Sequence, residues 1–186
     1  HEYSHSEKRI KHAEEKLQIA RRAVELIEEG STIFLGTGTT VEQMASMLPA
    51  FRLRIVTNSL SVFNLLEARE DCELCLVGGM YRRRTAAFVG PTAEDTLRAL
   101  GIDAAFIGAN GILDGDVSTS NMDEGRIQQL AFSKADSRYL IADSSKIGKR
   151  DFYTFCRLDS LDAVVCEPDI ADEDRAAIEE HTQVIC

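Results

Sequence analysis

In Ile33-Phe34-Leu35-Gly36-Thr37-Gly38-Thr39-Thr40-Val41 an apolar run ends in two glycines and three threonines, and a helical pattern follows at once. The run reads as a buried strand. Glycine lets the backbone approach a ligand closely and supplies unusual φ/ψ values. The threonines add hydroxyl donors, and the start of the next helix offers unpaired N–H groups and the positive end of a dipole. Together these make an anion-sized cradle, for which phosphate is the usual occupant. The third glycine of a dinucleotide fingerprint is missing, and so is the Gly-Lys-Ser/Thr of a Walker loop.

Working outward, residues 53–57, 74–77, 104–107, 139–142, 163–166 and 183–185 read as short strands, and 86–90 as a further extended piece. Helical patterns cover 41–48, 60–68, 92–99, 122–134 and 171–179, while 111–120 reads as a polar loop. This alternation predicts an α/β domain: a three-layer, Rossmann-like, mostly parallel sheet with helices on both faces. Ligands of such sheets bind at the carboxyl ends of strands, beside a topological switch point. Small and polar residues collect at those ends: 36–40, Asn58-Ser59, Gly78-Gly79, 108–111 and 143–146.

A chain of 186 residues fits one domain with a proper core. Its net charge of −10 repels a nucleic-acid backbone, so DNA binding by this segment alone is not expected. No apolar run approaches the ~20 residues of a membrane span, and no signal-peptide pattern opens the chain. It begins at His1 rather than Met, which reads as a processed product or a piece of something longer. Five scattered cysteines suit reduced thiols in a cytoplasmic protein. Cys72-x-x-Cys75 reads as strand rather than metal site, because all four histidines lie near the termini. No metal or cofactor is expected.

Residues 1–12 are polar, and 6–29 carry a helical pattern with Leu17, Ala20, Val24 and Ile27 on one stripe and Gly30 as the stop. Such a helix either caps the domain or connects it to another module. The organisation expected is a linker helix over 1–29 and a ligand-binding domain over 30–186.

Candidate ligand contacts are Gly36, Thr37, Gly38, Thr39, Thr40, Asn58, Ser59, Gly79, Arg82, Asn110, Glu124 and Lys146. Several have plainer readings. Asn58-Ser59 can simply cap the next helix, or the amide can reach a sugar hydroxyl. Arg82-Arg83-Arg84 can be a solvated face, or one arginine can pair with phosphate. Lys146 can be a surface lysine or the positive charge facing the ligand. Asp143, Asp123 and Glu124 are the acid/base candidates, but no Ser-His or Cys-His pair accompanies them. Binding is therefore favoured over catalysis, and no catalytic residue is assigned.

The ordered set Gly36-Thr37-Gly38-Thr39-Thr40, Val56-Thr57-Asn58-Ser59-Leu60, Val77-Gly78-Gly79, Phe88-Val89-Gly90-Pro91, Asp103-Ala104-Ala105-Phe106-Ile107-Gly108 and Ala142-Asp143-Ser144-Ser145-Lys146 resembles the effector domain of DeoR-type bacterial repressors. Gly36-x-Gly38-Thr39-Thr40-Val41-Glu42, Ala87-Phe88-Val89-Gly90, Asp123-Glu124 followed by Gln128-Gln129-Leu130-Ala131, and Lys146-x-Gly148-Lys149-x-Asp151-Phe152-x-x-Phe155-Cys156 are similar to the lactose phosphotransferase-system repressor subgroup. The resemblance implies a sensor of a phosphorylated sugar, with tagatose 6-phosphate the subgroup's typical effector. It also implies a homodimer or homotetramer, and contact with operator DNA only through a winged helix-turn-helix domain that this sequence lacks.

The same fold family includes ribose-5-phosphate isomerase and glucosamine-6-phosphate deaminase, so an enzyme is the rival expectation. The isomerase is similar at 36–40 and at Ala142-Asp143-x-Ser145-Lys146. It would carry an acidic Gly-Ala-Asp-Glu run where Gly108-Ala109-Asn110-Gly111 stands, and Lys-Gly-Gly where Asp114-Gly115-Asp116 stands. The deaminase would carry a His at Ile112. These exchanges remove proton-transfer groups and leave the phosphate cradle. A purely structural oligomerisation module would leave the polar strand ends unexplained.

Overall fold

In the computed structural model, which describes residues 2–10 and 12–186, seven parallel strands form one sheet. They are β1 (Thr32–Leu35), β2 (Leu53–Thr57), β3 (Cys72–Leu76), β6 (Ile102–Ile107), β9 (Ala135–Ile141), β11 (Ala163–Val165) and β12 (Gln183–Ile185), in the order β12-β11-β9-β6-β1-β2-β3. The chain runs outward from β1 through β2 and β3, then returns to place β6 on the other side of β1. The switch point therefore lies between β1 and β6, whose register pairs Phe34 with Ala105 and Leu35 with Phe106.

Strand periodicity divides the core. Ile33, Leu35, Ile55 and Phe106 face the helices α2 (Ala13–Val24), α3 (Thr39–Ser46) and α4 (Leu60–Leu66). Phe34, Val56, Ala105 and Ile107 face α5 (Pro91–Arg98), α6 (Met122–Lys134) and α7 (Asp172–Glu179). Successive residues of one strand thus serve two hydrophobic layers. Phe34 and Phe106 are fully buried, and each such side chain contributes roughly 1.5–3 kcal/mol. The three-layer, mostly parallel architecture is as the sequence predicts. Cys72 packs with the first layer and Cys75 with the second, so the two thiols of Cys-x-x-Cys diverge across β3. Burial pushes the Cys156 thiol up to about 12 and raises Cys166 as well.

Three features depart from the sequence reading. Residues 111–120 are not a loop: β7 (Gly111–Leu113) and β8 (Asp116–Thr119) form a hairpin, joined in a small antiparallel sheet by β10 (Tyr153–Arg157). Its turn, Asp114-Gly115, has φ of 52° and 81°, the doubly positive geometry that Asp-Gly favours. The extended piece expected at 86–90 is present as β5 (Ala87–Val89), but it pairs with a strand the sequence reading lacks, β4 (Met80–Arg82), in a second hairpin. Gly79 leads into it because a Cβ there would lie 2.5 Å from the Val89 carbonyl oxygen.

The N-terminal helix is the third. The expected single helix divides into α1 (His5–Ile10) and α2, with His12 left-handed at φ 52°, and α2 ends at Val24. Its buried face is Lys16, Ile19, Ala20 and Ala23, rotated from the stripe that begins at Leu17. α2 packs against α3 in the same core as β1.

Candidate functional site

A cleft of about 740 Å³, counting its open mouth, lies at the carboxyl ends of β1, β6 and β9, at the switch point. Thr37, Gly38, Thr39 and Thr40 line it, and Gly36 fastens the loop by donating its N–H to the Phe106 carbonyl oxygen at 3.1 Å. Gly38 is the N-cap of α3 at φ 117° and supplies no side-chain cap. By contrast, Ser59 accepts from the Val62 N–H to cap α4, and Asn121 accepts from the Glu124 N–H to cap α6. The first amides of α3 are thus left to whatever occupies the cleft, at the positive end of the helix. Gly36 and Gly38 differ physically. A Cβ on Gly36 would meet only ordinary contacts at 3.5 Å, whereas Gly38 needs its positive φ.

Asn110, Glu124 and Lys146 line the same cleft. Asn110 donates its amide to Asp151 at 3.0 Å, anchoring the segment ahead of β10. Glu124 is buried in the first turn of α6, and Thr37 Oγ1 donates to its Oε1 at 3.3 Å. Arg82 donates to Glu124 Oε2 at 2.6 Å and so borders the cleft through that carboxylate. Arg84 reaches Glu2 at 3.1 Å, and Arg83 lies over the Tyr81 ring.

Gly36, Arg82, Asn58, Ser59 and Gly79 are not among the lining residues. Asn58 donates its amide to the Phe88 carbonyl oxygen at 3.0 Å and ties β2 to the β4–β5 hairpin, which accounts for its burial. Ser59 is the α4 cap, and Gly79 is where two backbones approach.

The cleft also holds residues that sequence reasoning missed. Lys16 projects from α2 with only 5 % of its surface exposed. In the sequence Lys16 carries no signal of this burial, because apolar spacing alone leaves it at the polar edge of the stripe and the rotation of α2 against the sheet is what buries it. Gln128, one turn after Glu124, is 7 % exposed and donates Nε2 to the Gly108 carbonyl oxygen at 3.5 Å. Among the described residues its Oε1 has no hydrogen-bond partner. Asp143 forms part of the floor and accepts from the Ser145 N–H and hydroxyl. Behind it, Glu167 accepts from Ser144 N–H and Oγ; burial pushes its carboxyl up, and the nearby Asp143 charge adds to this.

The N-terminal segment closes one side. His5 lines the cleft and pairs with Glu42 on α3, while its N–H donates to the Arg84 carbonyl oxygen. Glu2 accepts from Ser120 Oγ at 2.6 Å and from Arg82 at 2.8 Å. Burial opposes its charge, but the hydrogen bonds from Arg82 and Ser120 and the charges of Arg82 and Arg84 hold it below the usual carboxylate range.

A family model for the DeoR C terminal sensor domain matches residues 11–167. The chain belongs to that family. This sensor domain is 43 % identical over 186 residues to the lactose phosphotransferase system repressor of Staphylococcus epidermidis, covering 99 % of this chain and 74 % of that protein. To the repressor of that name from Streptococcus mutans it is 39 % identical over 187 residues, with the same coverage. The fold is shared more widely. Ribose 5-phosphate isomerase A of Methanocaldococcus jannaschii aligns with TM-score 0.52 and 20 % identity over 73 % of the sensor domain. The eIF2B beta chain of Chaetomium thermophilum aligns with TM-score 0.59 and 13 % identity over 91 %. The sensor domain spans about half (54 %) of each of these two chains. Among the described residues, no helix is long and apolar enough to cross a membrane.

Proposed function

We propose that this sensor domain binds a phosphorylated sugar in the switch-point cleft, as the ligand-responsive part of a DeoR-type repressor. The phosphate sits on Gly36, Thr37, Gly38, Thr39 and Thr40, facing the first amides of α3. Lys16 and Lys146 supply positive charge, and Glu124 and Asn110 meet the sugar hydroxyls. The observation that carries the reading is the convergence on one cleft of an α3 N-terminus without a side-chain cap, three threonines and the buried Lys16. Amides, hydroxyls and a desolvated ammonium are donors suited to phosphate. Glu124, an acceptor within reach of Thr37, suits a hydroxylated body next to it.

The ligand is a hexose phosphate, with tagatose 6-phosphate the first to test, given the two repressors named for the lactose phosphotransferase system. Residues 1–29 link the cleft to an N-terminal winged helix-turn-helix domain that contacts operator DNA, and the repressor works as a homodimer or homotetramer. Ligand then favours one DNA-binding state, and by linkage DNA changes ligand affinity by the same factor. A thermal-shift panel of hexose and pentose phosphates tests the site. A hit at ligand several hundred-fold above its dissociation constant stabilises by ~3–4 kcal/mol, and absence of any shift refutes the reading.

A second reading, sugar-phosphate isomerase, is favoured by Glu124 alone, a buried carboxylate in the cleft beside the phosphate loop. NMR of each hit separates the two, because product formation decides for the enzyme.

A further inference from the structure

Gln128 is buried in the wall of the cleft, on the face of α6 that also presents Glu124, and its Oε1 has no hydrogen-bond partner among the described residues. Its orientation is fixed by chemistry. Nε2 faces the Gly108 carbonyl oxygen, which only accepts, so the amide oxygen is the atom turned elsewhere. A buried acceptor left unmet is costly, and native proteins rarely keep one without a use. Spacing adds to this. Residues four apart on a helix are neighbours, so Glu124 and Gln128 form two acceptors one turn apart along one wall. Acceptors at that spacing match a ligand with more than one hydroxyl.

Resting on the sugar-phosphate reading above, we propose that Gln128 is a specificity-determining residue. Its Oε1, closed off from solvent in the ligand-free structure, turns toward the cleft by a small side-chain rotation to accept a hydrogen bond from one hydroxyl of the bound sugar phosphate, and so selects ligands that carry a hydroxyl at that position. A neutral amide does not exchange a proton with the sugar as a carboxylate would, so Gln128 reads the ligand without reacting with it. Because the acceptor is already buried and unmet without ligand, a hydroxyl that reaches it gains a hydrogen bond at no new desolvation cost, and a ligand lacking that hydroxyl forgoes the whole gain.

The test is a binding cycle with two proteins, wild type and Gln128→Met, and a set of probes: tagatose 6-phosphate and its monodeoxy analogues, titrated by calorimetry. Methionine keeps the length and helix propensity of glutamine but cannot accept a strong hydrogen bond. Wild type should bind one analogue about 5- to 100-fold more weakly than the parent. Gln128→Met should lose a similar factor toward the parent and show no further loss with that analogue. Additive losses, or parent affinity unchanged by the substitution, overturn the proposal.

A ligand-free melt supplies an independent arm. Gln128→Met should melt close to wild type, since it removes an unsatisfied buried acceptor and, with it, only the long Nε2 hydrogen bond to the Gly108 carbonyl oxygen. A lower melting temperature with hydroxyl discrimination intact would make the amide structural, and so refute the inference alone. Failure of every sugar phosphate to bind wild type would sink both this and the functional reading.

Discussion

Lys16→Met is the sharpest perturbation of the proposed phosphate subsite. The side chain is 95 % removed from solvent, so water screens its charge little. A hydrogen bond to a charged group contributes about 1.5–3 kcal/mol, and losing it weakens binding by roughly 10- to 100-fold. With ligand at 100 times the wild-type dissociation constant, wild type gains about 2.7 kcal/mol of stability. For a domain of this size, 1 kcal/mol corresponds to about 2–4 °C, so the melting temperature rises by about 5–11 °C. The variant at the same ligand concentration gains only about 0.4–1.4 kcal/mol, or about 1–6 °C. Each protein is compared with its own ligand-free melt, so changes in intrinsic stability cancel. Lys146→Met, by contrast, removes a half-buried charge and should cost well under tenfold. A full wild-type rise in Lys16→Met, with ligand titrated to the same concentration, refutes the placement of phosphate beside α2.

The two glycines of the loop should separate folding from binding. Gly36→Ala should fold with stability within about 0.5 kcal/mol of wild type, while Gly38→Ala, forced to φ 117°, should lose about 1–3 kcal/mol in urea melts. Glu2 should titrate below the usual carboxylate range in an NMR pH titration of its carboxyl carbon, and Arg84→Ala should move it back up. Because its folded pKa is depressed, the stability from this contact is present above the unfolded value and lost as pH falls through the folded one. Glu167 runs the other way. Its folded pKa is raised, so its contribution is present below the unfolded value and lost as pH rises through the folded one. Glu167→Gln should therefore flatten the stability–pH curve just above the ordinary glutamate range, as read by denaturant melts at several pH values.

The strands of the large sheet were legible because each is a short apolar run bounded by glycine or polar residues, and period-2 burial in β1 follows directly from Ile33, Phe34 and Leu35. The β7–β8 hairpin was equally written in the sequence, as Asp114-Gly115 between Ile112-Leu113 and Val117, but a run of polar residues around it reads as loop. The cleft was half legible. Residues 36–40 announce themselves because one contiguous segment supplies glycines, hydroxyls and a helix start. Lys16 and Gln128 do not, since each becomes a cleft residue only through helix orientation against the sheet. Asn58 and Ser59 mislead for the opposite reason: polar residues at a strand end also serve to tie hairpins and cap helices, and here their hydrogen bonds do that.

Orientation of α2 also bears on how the cleft can report its occupancy. Ile19, Ala20 and Ala23 fix the helix in the core, and Lys16, on the same face one turn earlier, carries that rigidity to the cleft. Immediately before it, His12 breaks the helix, and the segment beyond returns across the cleft to Glu42 on α3 and to Arg82 and Ser120 on the opposite rim. Arg82 is shared between Glu2 and Glu124. If the proposed sugar phosphate draws Glu124 toward its hydroxyls, it changes what Arg82 can offer Glu2, which would link occupancy and N-terminal position energetically through one guanidinium. The linkage must run both ways: Arg84→Ala, which weakens the Glu2 contact without touching the cleft, should shift sugar-phosphate affinity by a measurable factor in calorimetry. Identical affinity in that variant would show that the N-terminal segment lies over the cleft without sensing it.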